Sequence, residues 1–188
     1  MSFSRRTLLK ASAASGVLGG IGAPMVARGQ QDLSVSFRSF NFRDRFIRHK
    51  NFLAELEPVS TELDRLDATF IFHHGGLAEI GDGFASWESR NFPDHYLRHQ
   101  NFRLVLHKRP PPGSPDLALF RRDATFAIVP SLAAPTDRQF QSFRSVNFPT
   151  RMLRHRDFHL FLDEVNESDD LFRKDATFHT QDGFVRQS

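Results

Sequence analysis

Three histidines and three aspartates stand at matching places along this chain, and they are the residues with which it could do chemistry. His49, His99 and His155 lie 50 and then 56 residues apart, and each is followed by an Asp-Ala-Thr-Phe phrase opening with Asp67, Asp123 or Asp175. An imidazole can donate or accept a hydrogen bond, shuttle a proton or bind a metal, whereas an ionised carboxylate only accepts. One of each per copy is too few for glycoside hydrolysis, which needs two carboxyl groups within about 5 to 9.5 Å. It is also too few for a metal, whose ligands must surround one centre. A chain of this size has a radius of gyration of roughly 15 Å, so equivalent groups around a threefold axis would lie roughly 20 Å or more apart and could not be pooled. The residues therefore predict no enzyme, no metal and no cofactor. Plainer roles stand beside any functional one: Asp can bond its own downstream backbone in a turn, and His can sit satisfied at a strand end.

These residues belong to a pattern used three times. The copies open with Ser36-Phe37-Arg38-Ser39-Phe40-Asn41-Phe42, with Ser86-Trp87-Glu88-Ser89-Arg90-Asn91-Phe92 and with Ser142-Phe143-Arg144-Ser145-Val146-Asn147-Phe148. They continue with Phe46-Ile47-Arg48-His49, Tyr96-Leu97-Arg98-His99 and Met152-Leu153-Arg154-His155, then Asn51-Phe52, Asn101-Phe102 and Asp157-Phe158. The alternating runs Phe52 to Leu56, Phe102 to Leu106 and Phe158 to Leu162 predict half-buried strands. The extra length of the second copy falls in a loop holding Pro110, Pro111, Pro112, Gly113 and Pro115, and no window is long enough to predict an amphipathic helix. About four short strands per copy must hide their edges, and a closed threefold arrangement does so. The predicted fold is all-β, a β-trefoil with three pseudo-symmetric four-strand lobes at about residues 35–84, 85–141 and 142–188. Phe37, Phe70, Trp87, Phe126, Phe143 and Phe178 are the predicted core. His73, His74, His95, His107, His159 and His179 do not recur in register and read as incidental.

Charge narrows the partners. Residues 1–29 hold Arg5, Arg6, Lys10 and Arg28 and no acid; removing these four bases from 25 leaves 21 against 22 acids, a net charge of −1. No clustered positive field then remains for nucleic acid. The segment Ser4-Arg5-Arg6-Thr7-Leu8-Leu9-Lys10, followed by a small apolar stretch to Ala27, resembles a twin-arginine export signal. Gly16, Gly19, Gly20, Gly22 and Pro24 dilute that stretch, which argues against a membrane anchor after processing. Residues 30–188 are then the exported domain, periplasmic or extracellular, and the absence of cysteine leaves no disulfide framework to form there.

The phrases Ser-Phe-Arg-Ser-x-Asn-Phe and Leu-Arg-His, each exact in two copies and varied in the other, and the thrice-used Asp-Ala-Thr-Phe resemble the arabinose-binding domain of α-L-arabinofuranosidase B, carbohydrate-binding module family 42, over about Val35 to Phe184. The resemblance implies a β-trefoil whose lobes hold arabinofuranose side chains of arabinoxylan or arabinan in up to three pockets. It implies His49 with Asp67 and Phe42, His99 with Asp123 and Phe92, and His155 with Asp175 and Phe148, each Phe standing seven positions before its His where the family most often has tyrosine. A carboxylate, an imidazole and a flat ring suit the hydroxyls and C–H faces of a furanose. The expected protein is a monomeric, non-catalytic binder of arabinose-containing polysaccharide, with a separate glycoside hydrolase as a companion. The alternative is a protein-interaction trefoil without sugar affinity.

Overall fold

The computed structural model describes residues 33–185, and the leader predicted over residues 1–29 lies outside them. Each copy lays down three strands, a short helix and a fourth strand. The first supplies β1 (Ser34–Ser39), β2 (Arg45–Lys50), β3 (Leu53–Pro58), α1 (Glu62–Asp67) and β4 (Phe70–His74). The second supplies β5 (Phe84–Ser89), β6 (His95–Gln100), β7 (Arg103–Lys108), α2 (Leu117–Asp123) and β8 (Phe126–Pro130). The third supplies β9 (Phe140–Ser145), β10 (Arg151–Arg156), β11 (His159–Glu164), α3 (Asp170–Asp175) and β12 (Phe178–Asp182). The proline-rich insertion falls between β7 and α2, where the repeat spacing places it. Among the described residues no helix is long and apolar enough to cross a membrane.

All strand pairs are antiparallel. β1, β4, β5, β8, β9 and β12 pair in a ring that returns to β1. The hairpins β2–β3, β6–β7 and β10–β11 join this ring through β1, β5 and β9, and β3, β7 and β11 each pair with the other two. This corrects the expected β-trefoil of three four-strand lobes: the all-β class holds, but the architecture is one closed antiparallel barrel. β4 runs beside β5 of the next copy from Phe70–Ser89 to His74–Ala85, yet meets β1 of its own copy only through Phe70 and Ile71. β8 with β9, and β12 with β1, repeat that hand-over. A four-strand lobe standing alone would leave edge N–H and C=O groups unpaired, and pairing across copies removes those edges.

The helices are a second correction, because the sequence pattern predicts strands alone. At six or seven residues they are too short to show an apolar stripe, and their signals are local. Thr61 and Asp64 form a reciprocal capping box at the start of α1, and Asp169 accepts from Leu171 N at the start of α3. All three helices end on the aspartate of Asp-Ala-Thr-Phe. The Ala is wholly buried, and the Thr hydroxyl donates back to the carbonyl of Arg65, Arg121 or Arg173 at 2.7 to 2.8 Å. The same hydroxyls accept backbone N–H groups of Val185, Ala78 and Ala133, which fastens the segments between copies.

The hairpins turn on Asn51-Phe52, Asn101-Phe102 and Asp157-Phe158, so these Phe residues lie in turns rather than opening the strands as predicted. Both residues of every turn have positive φ, and Phe52, Phe102 and Phe158 stand at 62°, 63° and 64°. Such φ values suit a two-residue hairpin but strain a bulky side chain. Their carbonyls are held from outside: Phe52 O accepts from Leu106 N, Phe102 O from Leu162 N and Phe158 O from Leu56 N, at 2.7 to 2.8 Å. Each strained turn is thereby clamped by the next hairpin.

The six predicted core aromatics are all buried in one cluster. Trp87 meets Phe37 and Phe143 edge-on, with centroids at 5.0 and 4.8 Å, and stacks on Phe126 at 4.8 Å. Its Nε1 is buried without a hydrogen-bond partner, whereas its repeat mates are Phe. An unsatisfied buried donor costs about 1 to 3 kcal/mol. Trp87→Phe should therefore stay within about 1 kcal/mol of the parent in urea unfolding, because removing that donor offsets the lost packing. Trp87→Ala, which leaves a cavity, should lose about 3 to 5 kcal/mol.

Candidate functional site

Each site is assembled where two copies meet. His49, His99 and His155 occupy the next-to-last position of β2, β6 and β10, and Asp67, Asp123 and Asp175 arrive from the helix ends. The pairs converge: imidazole Nε2 lies 3.5, 3.0 and 3.3 Å from the aspartate Oδ1. All six residues are at most 5% exposed. They form a buried base.

A carboxylate at a helix C-terminus gains nothing from the helix dipole, so its charge is balanced elsewhere. Arg48, Arg98 and Arg154, each just before the histidine, donate Nη2 to Asp67, Asp123 and Asp175 Oδ2 at 2.6, 2.5 and 2.7 Å. The other oxygen, Oδ1, accepts from the side-chain amides of Asn91, Asn147 and Asn41 at 2.7, 2.7 and 2.8 Å. These arginines and asparagines recur in every copy, and that recurrence is the signal by which they could have been added to the candidate set.

With the Asn nitrogen on the carboxylate, its Oδ1 must face away. In the first site it lies 2.9 Å from His49 Nε2, and in the third 3.0 Å from His155 Nε2, with Ser89 and Ser39 hydroxyls completing the cluster. Burial pushes the pKa values of His49 and His155 below 6.5, against the opposing pull of Asp67 and Asp175. Because an amide oxygen faces it, Nε2 is the ring atom that donates, to Asn91 Oδ1 in the first site and to Asn41 Oδ1 in the third.

The aromatic partners differ from the expected ones. Phe42, Phe92 and Phe148 do not join the histidine seven residues later in their own copy. Phe92 stands edge-on to His49 at 5.3 Å, Phe148 to His99 at 5.2 Å and Phe42 to His155 at 5.4 Å. The turn residues Phe52, Phe102 and Phe158 meet these rings at 5.1 to 5.3 Å. The structure thus brings together His49, Asp67, Asn91 and Phe92, then His99, Asp123, Asn147 and Phe148, then His155, Asp175, Asn41 and Phe42. Phe92 and Phe148 remain about one-third exposed above the buried polar base. A cavity of about 250 Å³ opens at the second site, against Arg98, His99, Phe102, Asp123, Asn147 and Phe148. Among the described residues no group of His, Asp and Glu could hold a metal.

The fold and the repeated site define a threefold-repeated, all-β class of domain. Residues 35–180 match the model of the alpha-L-arabinofuranosidase B (ABFB) domain, with a further match over 25–72, and the chain belongs to that family. One similar solved structure is a GH54 α-L-arabinofuranosidase soaked with a cyclic sulfate inhibitor, 27% identical over 82% of this chain and 32% of that one, with a TM-score of 0.68. Another is an arabinofuranosidase complexed with arabinofuranosyl-α-1,2-xylobiose, 26% identical over the same shares, with a TM-score of 0.67. This chain spans about a third of the length of either. The comparison with curated proteins returns no match.

Two predictions follow from the base. Asp123→Ala leaves the Arg98 guanidinium without a carboxylate and should cost about 3 to 5 kcal/mol in chemical denaturation. Asp67→Ala should cost less, because Arg48 keeps Asp64 and Glu57. For pH, the unfolded chain takes up protons on its histidines near 6.5, while folded His49 and His155 resist them. Stability should be complete above that pH and fall below it, seen as a lower denaturation midpoint at pH 5.5 than at pH 7.5.

Proposed function

We propose that this chain is a non-catalytic carbohydrate-binding domain that recognises arabinofuranose side chains of arabinoxylan or arabinan. The observation that carries the reading is the thrice-built site, a buried imidazole, carboxylate and amide beneath a partly exposed Phe. Polar atoms fixed by one another can orient hydroxyls, and the ring can pack on C–H faces. Family membership and the arabinofuranosyl-α-1,2-xylobiose bound by the second similar arabinofuranosidase support the same ligand class. The recurring aspartate is buried and engaged on both oxygens by arginine and asparagine, which suits fixing the base of the site better than transferring a proton. A single pocket of this size would bind at about the millimolar level, roughly 4 kcal/mol, and several on one body reinforce one another on a branched polymer. Export by the twin-arginine route, with a separate glycoside hydrolase acting on the same polymer, belongs to this proposal.

Affinity electrophoresis and calorimetry test it. The purified chain should be retarded by arabinoxylan and by branched arabinan, both bearing arabinofuranose side chains, and not by unsubstituted xylan. The combined Phe42→Ala, Phe92→Ala and Phe148→Ala variant should lose at least tenfold in affinity while keeping a cooperative thermal transition. Indifference to all arabinose-bearing polymers would favour the protein-interaction alternative.

A further inference from the structure

The copies part company where the hairpin strands meet. Leu53, Arg103 and His159 open β3, β7 and β11 at matching places, and two positions further on stand Glu55, Val105 and Phe161. One guanidinium, one carboxylate and one imidazole therefore gather where strict repetition would set three alike. Arg103 Nη1 lies 2.6, 3.1 and 2.6 Å from the carbonyl oxygens of Ala54, Leu104 and Leu160, one from each copy, and Nη2 donates to Glu55 Oε1 at 2.6 Å. Glu55 is buried, and its other oxygen bonds His159 Nδ1. With both oxygens engaged, this carboxylate is a fixed floor and not a ligand contact.

Against that floor a cavity of about 400 Å³ opens between the first and third hairpins, larger than the one of about 250 Å³ at the second junction and within the range of roughly 300 to 1,000 Å³ for ligand pockets. Its walls mix donors from Arg45, Lys50 and Asn51 with the carboxylates of Glu57 and Asp157, beside the apolar Leu53 and Phe158. The side chains of Lys50 and His159 are more than half exposed. Because Glu55 faces Nδ1, the neutral His159 ring keeps its proton there and leaves Nε2 as an acceptor. Glu57 pairs with Lys50 at 2.9 Å and Glu55 with Arg103, so the walls carry no excess of either sign that would draw an ion. An apolar ligand would strip these groups of water without replacing their bonds. Neighbouring hydroxyls, each able to donate and accept, satisfy such walls. Phe158 also meets Phe42, the ring beside His155, at 5.1 Å, so the cavity adjoins the third junction.

We infer that this cavity is a second kind of carbohydrate site, present once, that takes the neutral main chain of a polymer whose side chain reaches the third junction, with His159 Nε2 and Lys50 Nζ as contacts. The inference rests on the carbohydrate-binding reading above and adds a hold on the main chain by residues outside the repeated set. The test is calorimetry of the full chain with methyl α-L-arabinofuranoside, with a xylo-oligosaccharide carrying one arabinofuranose and with an arabino-oligosaccharide carrying one arabinofuranose branch, the last two showing which main chain fits. At least one branched ligand should bind about tenfold more tightly than the glycoside, the worth of one or two added hydrogen bonds. His159→Leu, which installs the first copy's residue, should erase that advantage and leave glycoside binding unchanged, and the exposed Lys50→Ala should act likewise. In NMR the His159 side-chain nitrogens should shift with the branched ligand and not with the glycoside. Equal affinity for all three ligands, or an advantage that survives both substitutions, would overturn the inference and leave the carbohydrate reading standing. No binding of any of the three would overturn both.

Discussion

The guanidinium–carboxylate pair at the end of each short helix is the contact on which the rest of the molecule hangs. Asp67, Asp123 and Asp175 lie where water scarcely reaches, so each depends on its arginine one strand away. The carboxylate has two oxygens and uses them in different directions. One ties the helix to the hairpin of its own copy, and the other ties both to an asparagine of the next copy. A single charged group thus joins secondary structure, repeat order and site geometry. Because the interior is poor in water, these bonds polarise one another, and a half-satisfied cluster would be worse than none.

The hairpin turns supply the complementary constraint. Each places a phenylalanine where glycine would be at ease, and the strain persists because a neighbouring hairpin donates to that residue's carbonyl. Strain held this way positions rings beside the polar clusters instead of letting them sweep free. Arginines add to the hold, with Arg45 4.0 Å above Phe158 and Arg151 3.8 Å above Phe102.

Much of this was legible in the residues. Repetition exposes the strands, the aromatic core and the convergence of His49 with Asp67, because buried positions recur with period two and site residues recur at fixed offsets. The helices were not legible: six residues make under two turns, and Asp-Ala-Thr-Phe reads as easily as a turn. Nor could spacing show that Phe42 serves His155, 113 positions later, since that proximity follows from ring closure and not from distance along the chain. The wiring of Asn91 and Arg48 was in plain view as repeated letters, but their partners are set by which edge of the sheet each copy offers its neighbour. The burial of the imidazoles came from the same hand-over, which lays the next copy across the first.

Sharing between neighbours also bears on how such a protein could have arisen. One copy cut from the chain would hold a histidine and aspartate from one junction and an asparagine and phenylalanine from another, and so no complete site. Three unlinked copies closing into a ring would restore all of them. Carrying the copies on one chain makes the closing of that ring a folding step and not an assembly step.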